Sequence, residues 1–323
     1  MLTVKENYMR VMRGEVPEYV PRFNFAWGMR PSALSGNRNP DGSGTDMFGV
    51  EWTTEGSGIA GAIPKPGAFL LDDIRRWRDV IKAPDLSDVD WALMAQRDIA
   101  NRDPDQPRSG GTVSLGFFQS LMSFMGFNEG LVACYEEPEE VKAMMQFLLD
   151  IFLDTGKLML EHYKPDYGNM GDDIAHENNP FVSLAMFRDL FAPYWRAYAK
   201  IFVDADIPVQ HHNCGHFEDF LDDVVDMGFS SWDPAQVSND LVAIKAKYGN
   251  RLAIIGGFDS AQFGAWRPAT EEAIRTEVKR VMDTYAPGGG YCYLGSVMGT
   301  DPVSVERSAW IADEYEKLKA TYY

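Results

Sequence analysis

The chain is poor in cysteine, in histidine and in positive charge. Three cysteines in 323 residues are too few for a disulfide framework, so each is read as a thiol or a metal ligand. Thirty Lys and Arg face 48 Asp and Glu, a formal net charge of -18. Nucleic-acid affinity is built mostly on Lys and Arg neutralising phosphates, so nucleic acid is excluded as a partner. No apolar run approaches the roughly 18 residues that cross a bilayer, which excludes a membrane helix. The opening "MLTVKENYMRVMRG" has no apolar signal core, and a cytoplasmic location is expected. Low-complexity tracts, long linkers and repeats of roughly 20 to 50 residues are also missing. What is present is a globular composition, 45% hydrophobic and 24% charged, long enough for two ordinary domains or one α/β barrel.

Short apolar or β-type runs alternate with helical patterns over most of the chain. A helix is expected over residues 3–13, then a lone strand in "PRFNFAW" (21–27). The Pro-, Gly- and charge-rich "NRDPDQPRSGG" (101–111) is the boundary expected from composition. Residues 1–110 are therefore read as a decoration carrying the first strand, and 111–323 as the main part of one domain. Further strands are expected in "TVSLGFF" (112–118), "DYGNMGDD" (166–173), "IPVQHHNC" (207–214), "FSSWD" (229–233), "RLAIIGGFD" (251–259) and "GGYCYLG" (289–295), nearly all followed by helical segments. Strand, helix, strand, helix implies parallel strands with crossover helices. With about seven such units, a (β/α)8 barrel is more economical than an open sheet, and it places chemistry where the strands end and the βα loops begin. Asp172, Asp173, His212, Cys214, Asp233, Asp259 and Cys292 all belong to these strand segments, most of them toward the ends.

The stretch "PVQHHNCGH" (208–216) holds three of the five histidines and one of the three cysteines. Strand side chains alternate with period 2, so Gln210, His212 and Cys214 share one face while Val209, His211 and Asn213 take the other. Gly215 gives the chain freedom to turn, and His216 falls where the next helix begins, a capping or solvent position. Zinc accepts imidazole nitrogen and thiolate sulfur, and a catalytic site uses three protein ligands and one open position. Cys134 lies in a helical stretch and reads as a buried apolar thiol. Cys292 lies in the last strand, so His212, Cys214 and Cys292 can form a His, Cys, Cys site at the barrel mouth. On spacing alone, a polar strand end without metal is the favoured reading.

The sequence resembles the uroporphyrinogen decarboxylase superfamily, and within it the zinc- and corrinoid-linked methyltransferase branch. The resemblance is carried by "RVMRGEVPEYVPRFNF", "TDMFGVEWT", "LMSFMGFNEGLVACYEEPEEV", "PDYGNMGDDIAHENNPFVSLAMFRDLFAPYWR", "HNCGHFEDFLDDVVDMGFSSWDPAQ" and "DLVAIKAKYGNRLAIIGGFD". It implies a distorted (β/α)8 barrel with an N-terminal extension, and a catalytic Zn2+ on an H-x-C motif plus a late cysteine, matched here by His212, Cys214 and Cys292. The implied reaction moves a methyl group between a small methyl ether, methylamine or thiol and the cobalamin of a separate corrinoid protein, O-demethylase chemistry included. The corrinoid-binding pattern D-x-H-x-x-G is absent from the chain, so the cobalamin is expected on the partner. Decarboxylases of the family hold their substrate's many carboxylates with an R-Q-A-G-like segment that is missing here, with Arg30 a single candidate cation. A metal-free carboxy-lyase acting on a tetrapyrrole is the alternative. Asp172 and Asp173 are expected to orient His212, add a weak ligand or handle a proton; each is equally well placed to cap a helix. Glu177 is a weaker candidate of the same kind, and Asp259 has either a site role or a cap.

Overall fold

The computed structural model describes residues 2–56, 61–111 and 115–323. Eleven strands are found among them. They are β1 (Gly28–Met29), β2 (Asn37–Arg38), β3 (Gly44–Thr45), β4 (Glu51–Thr53), β5 (Ile63–Pro64), β6 (Ser109–Gly111), β7 (Tyr167–Gly171), β8 (Val209–His212), β9 (Phe229–Ala235), β10 (Ala253–Gly257) and β11 (Tyr291–Leu294). The helices are α1 (Val4–Met12), α2 (Trp77–Val80), α3 (Trp91–Ile99), α4 (Phe117–Met125), α5 (Phe127–Glu136), α6 (Pro138–Leu158), α7 (Leu184–Leu190), α8 (Ala192–Val203), α9 (Leu221–Asp226), α10 (Leu241–Tyr248), α11 (Glu271–Tyr285) and α12 (Pro302–Leu318).

Seven strands form one parallel sheet in the order β1-β6-β7-β8-β9-β10-β11. A parallel bridge between Arg22 and Tyr293 sets the segment before β1 beside β11, so residues 21–29 link the two sheet edges. The result is a distorted (β/α)8 barrel. Strands β2 to β5 make a separate antiparallel sheet of four.

Helix α6 shows why the crossovers pack. Val141, Met144, Met145, Leu148, Leu149 and Phe152 recur at helical spacing and are all buried, each worth roughly 1.5–3 kcal/mol of transfer free energy. The stretch 183–205 breaks at Phe191 into α7 and α8 because Pro193 cannot continue a helix but fits a first turn. At the start, Thr3 and Glu6 form a reciprocal capping box on α1.

Two sequence expectations move. Residues 112–114 of "TVSLGFF" lie outside the described residues, and Phe117 and Phe118 open helix α4 instead of ending a strand. The strand is β6, inside the Gly-rich stretch expected as a boundary, where it pairs with both β1 and β7. In "PRFNFAW" only Arg22 bridges. Phe25–Trp27 form a 3-10 turn capped by Asn24 before β1 begins.

Candidate active site at the mouth of the barrel

The alternation read from "VQHHNC" is the one found. His211 points outward, fully buried among Trp195, Phe217 and Phe229 with ring centroids at 4.5, 5.1 and 5.2 Å. Burial pushes its pKa down to about 3, so it is a neutral core residue. Gln210 and His212 point inward. Gly215 turns the chain at φ +85, where an added Cβ would lie 2.6 Å from the His176 carbonyl oxygen. His216 sits against the Ser238 carbonyl, Nδ1 to O at 2.8 Å, away from the site.

Parallel register places His212 of β8 opposite Asp233 of β9 and Gly171 of β7. Asp233 Oδ2 lies 2.7 Å from His212 Nδ1, and a carboxylate accepts, so Nδ1 carries the proton. In the neutral ring that leaves Nε2 with the free lone pair, 3.9 Å from Asp173 Oδ1. Asp173 in turn accepts from the Cys214 backbone N–H at 2.7 Å and from Gln119 Nε2 at 3.1 Å. Asp173, His212 and Cys214 thereby each present one ligand atom within 4.8 Å of the others, the one such group of three or more among the described residues. Burial lowers the pKa of His212, but Asp233, Cys214 and Asp173 more than offset it and hold the imidazole well above its usual range. Burial raises the Cys214 thiol, while its hydrogen bond with His212 draws it down.

The other expected site residues are placed elsewhere. Cys292 is fully buried, its Sγ donating to the Pro21 carbonyl at 3.3 Å, within a cluster containing Tyr8, Met12, Phe23, Trp27, Tyr167 and Ile255. It lies on β11, three strand spacings from β8, on the order of 14 Å along the sheet. It does not join His212 and Cys214, and Asp173 takes the third corner. Asp172 is wholly buried and spends its carboxylate on the Phe118 and Gln119 N–H groups (3.0 and 2.9 Å) and on Trp195 Nε1 (2.8 Å). It is the cap of α4. Burial raises its pKa to about 7 against the pull of these three donors. Asp259 accepts from the Gln262 N–H at 2.9 Å, capping its own turn. Glu177 is exposed. Cys134 is buried in α5 as expected, its thiol pushed up to about 12.

A cavity of about 490 Å³ opens beside His212, Asp173 and Asp233, with an aromatic side formed by Phe23, Phe25 and Tyr167. The Phe25 ring is 58% exposed and stands edge-on to His212 at 6.0 Å. Arg30 is the one Lys or Arg side chain among the described residues that line it. Sequence reasoning placed Asp233 at a strand end without giving it a role, and overlooked Gln119. The signal for Asp233 was strand parity: Ser231 and Asp233 occupy the inward positions of β9, next to the H-x-C strand.

Residues 61–301 match the uroporphyrinogen decarboxylase (URO-D) family. The chain belongs to that family. Among solved structures, a methyltransferase from Methanosarcina mazei superimposes with a TM-score of 0.64 at 14% sequence identity, covering 98% of this chain and 99% of that one. The likeness establishes the shared fold of this URO-D family member over its full length. Among curated proteins, none matches the sequence.

Proposed function

We propose that this URO-D family member is a zinc-dependent methyltransferase that moves a methyl group between a small methyl ether, methylamine or thiol and the cobalamin of a separate corrinoid protein. The observation that carries the reading is the convergence of Asp173, His212 and Cys214 on one point beside the cavity. One imidazole, one thiolate and one carboxylate are a donor set zinc accepts, and three ligands leave a fourth position for substrate. The Asp233 contact behind His212 is the carboxylate–histidine arrangement that accompanies metal-bound imidazoles. When bound, zinc supplies Lewis acidity and lowers the pKa of a coordinated thiol.

The chain's own residues perform the rest. Asp233 fixes the His212 tautomer, and Gln119 fixes Asp173, which also ties down the Cys214 backbone. Phe23, Phe25 and Tyr167 offer an apolar wall that keeps water from the methyl group. A tetrapyrrole with several carboxylates asks for several cations, and the cavity lining supplies Arg30 alone among the described residues, which weighs against the carboxy-lyase reading.

Metal analysis of protein prepared without chelators tests the site. Near-stoichiometric zinc is expected in the wild type and in Cys292→Ser, with at least a tenfold loss of affinity in Cys214→Ser, His212→Ala and Asp173→Asn. Absence of zinc from the wild type sinks the reading, and loss of zinc in Cys292→Ser restores the cysteine as a ligand. Spectra of cob(I)alamin or methylcobalamin mixed with panels of thiols and methoxyarenes then identify the substrate.

A further inference from the structure

A buried line of hydrogen bonds runs from the first helix to the histidine of the site. The Tyr8 hydroxyl of α1 donates to Gln210 Oε1 at 2.6 Å, Gln210 Nε2 donates to Asp233 Oδ1 at 2.5 Å, and Asp233 Oδ2 meets His212 Nδ1 at 2.7 Å. The order of donors is forced. The Asp233 carboxylate only accepts, so Gln210 must offer its amide nitrogen and His212 its Nδ1–H. Gln210 Oε1 is then left as an acceptor in a place water does not reach, and the Tyr8 hydroxyl is the donor that satisfies it.

Tyr8, Gln210 and Asp233 are all fully buried, and neither Tyr8 nor Gln210 lines the cavity, so neither meets a substrate. Around Tyr8 the packing is aromatic, with Trp27 and Tyr167 ring centroids at 4.8 and 5.4 Å. Phenylalanine would fill that space as well without the cost of desolvating a hydroxyl. The polar groups are there for the bonds they make.

We infer that Tyr8 and Gln210 are positioning residues, holding Asp233 in one rotamer and thereby His212 in the tautomer whose Nε2 faces Asp173 and Cys214. This rests on the metal-site reading above, because that reading gives the Nε2 lone pair its use. Partners behind a ligating histidine change metal affinity on the order of 10- to 100-fold when removed.

Two measurements on the intact protein test it, with Tyr8→Phe and Gln210→Met beside the wild type. Cobalt(II) titration followed by visible absorption should show about tenfold weaker binding in Tyr8→Phe and up to about 100-fold in Gln210→Met, with altered bands. The double variant should be no weaker than Gln210→Met, because both act through one line of bonds. In metal-free protein, at a pH above the raised pKa of His212 where the ring is neutral, 15N shifts of the His212 ring, assigned by difference from His212→Gln, should report the Nδ1–H form in the wild type and a tautomer mixture in Gln210→Met. Variants that melt earlier but keep wild-type cobalt affinity and ring shifts would overturn the inference. If wild-type protein binds neither cobalt nor zinc, the metal reading falls, and the ring shifts alone decide whether Tyr8 and Gln210 set the tautomer.

Discussion

Asp233 accomplishes for His212 what strand parity alone does not. Parity aims the imidazole inward; the carboxylate on the next strand decides which nitrogen is left to bind. The three cysteines divide just as sharply. Burial holds Cys134 near 12 and Cys292 well above the ordinary thiol range, whereas Cys214 is half-buried and bonded to His212. In native protein, alkylation mapped by mass spectrometry should therefore modify Cys214 alone, faster as pH rises through its raised pKa, with all three reacting after denaturation. Added zinc should protect Cys214. Native-state labelling of Cys292 would contradict its enclosure. At this scale the sequence carried the inward face of "VQHHNC" and the apolar fate of Cys134. The exchange of Cys292 for Asp173 was not readable, because it depends on how many strands separate two residues around the barrel.

Helix α4 shows how an element acquires an end from far along the chain. Gly116 brings no side chain to cap it, and Asp172, at the end of β7, closes the first turn with a carboxylate at the positive end of the helix dipole. A Cβ on Gly116 would fall 2.4 Å from the Asp172 side chain, so the glycine is what lets the carboxylate approach. Asp172→Ala removes three hydrogen bonds to a buried group, and a loss of about 2–4 kcal/mol is expected from urea unfolding. A loss below about 0.5 kcal/mol would remove the cap from this account. The same contact explains why "TVSLGFF" misled: β-type composition in 117–118 is overridden by a cap 54 residues away.

Across the whole molecule, the barrel gathers residues from separate strands onto one mouth, Asp173 after β7, His212 and Cys214 at the end of β8, and Asp233 in β9. A ligand that binds the folded state alone stabilises it by mass action. Free zinc at a hundredfold over its Kd is worth about 2.7 kcal/mol. Chelation should accordingly lower the melting temperature of the wild type by several degrees and that of Cys214→Ser by about half as much or less. Equal shifts in both proteins would place the metal elsewhere.

The sequence by itself determined an α/β fold of parallel strands with crossover helices, through its alternation of strand and helix, and the inward pairing of His212 with Cys214, because periodicity is local and a strand has only two faces. Only the tertiary structure decided which carboxylate completes the cluster, which one caps a helix and which cysteine is walled off. Those outcomes depend on register and on the order of strands around the barrel, and neighbouring strands are brought side by side only when the chain has closed.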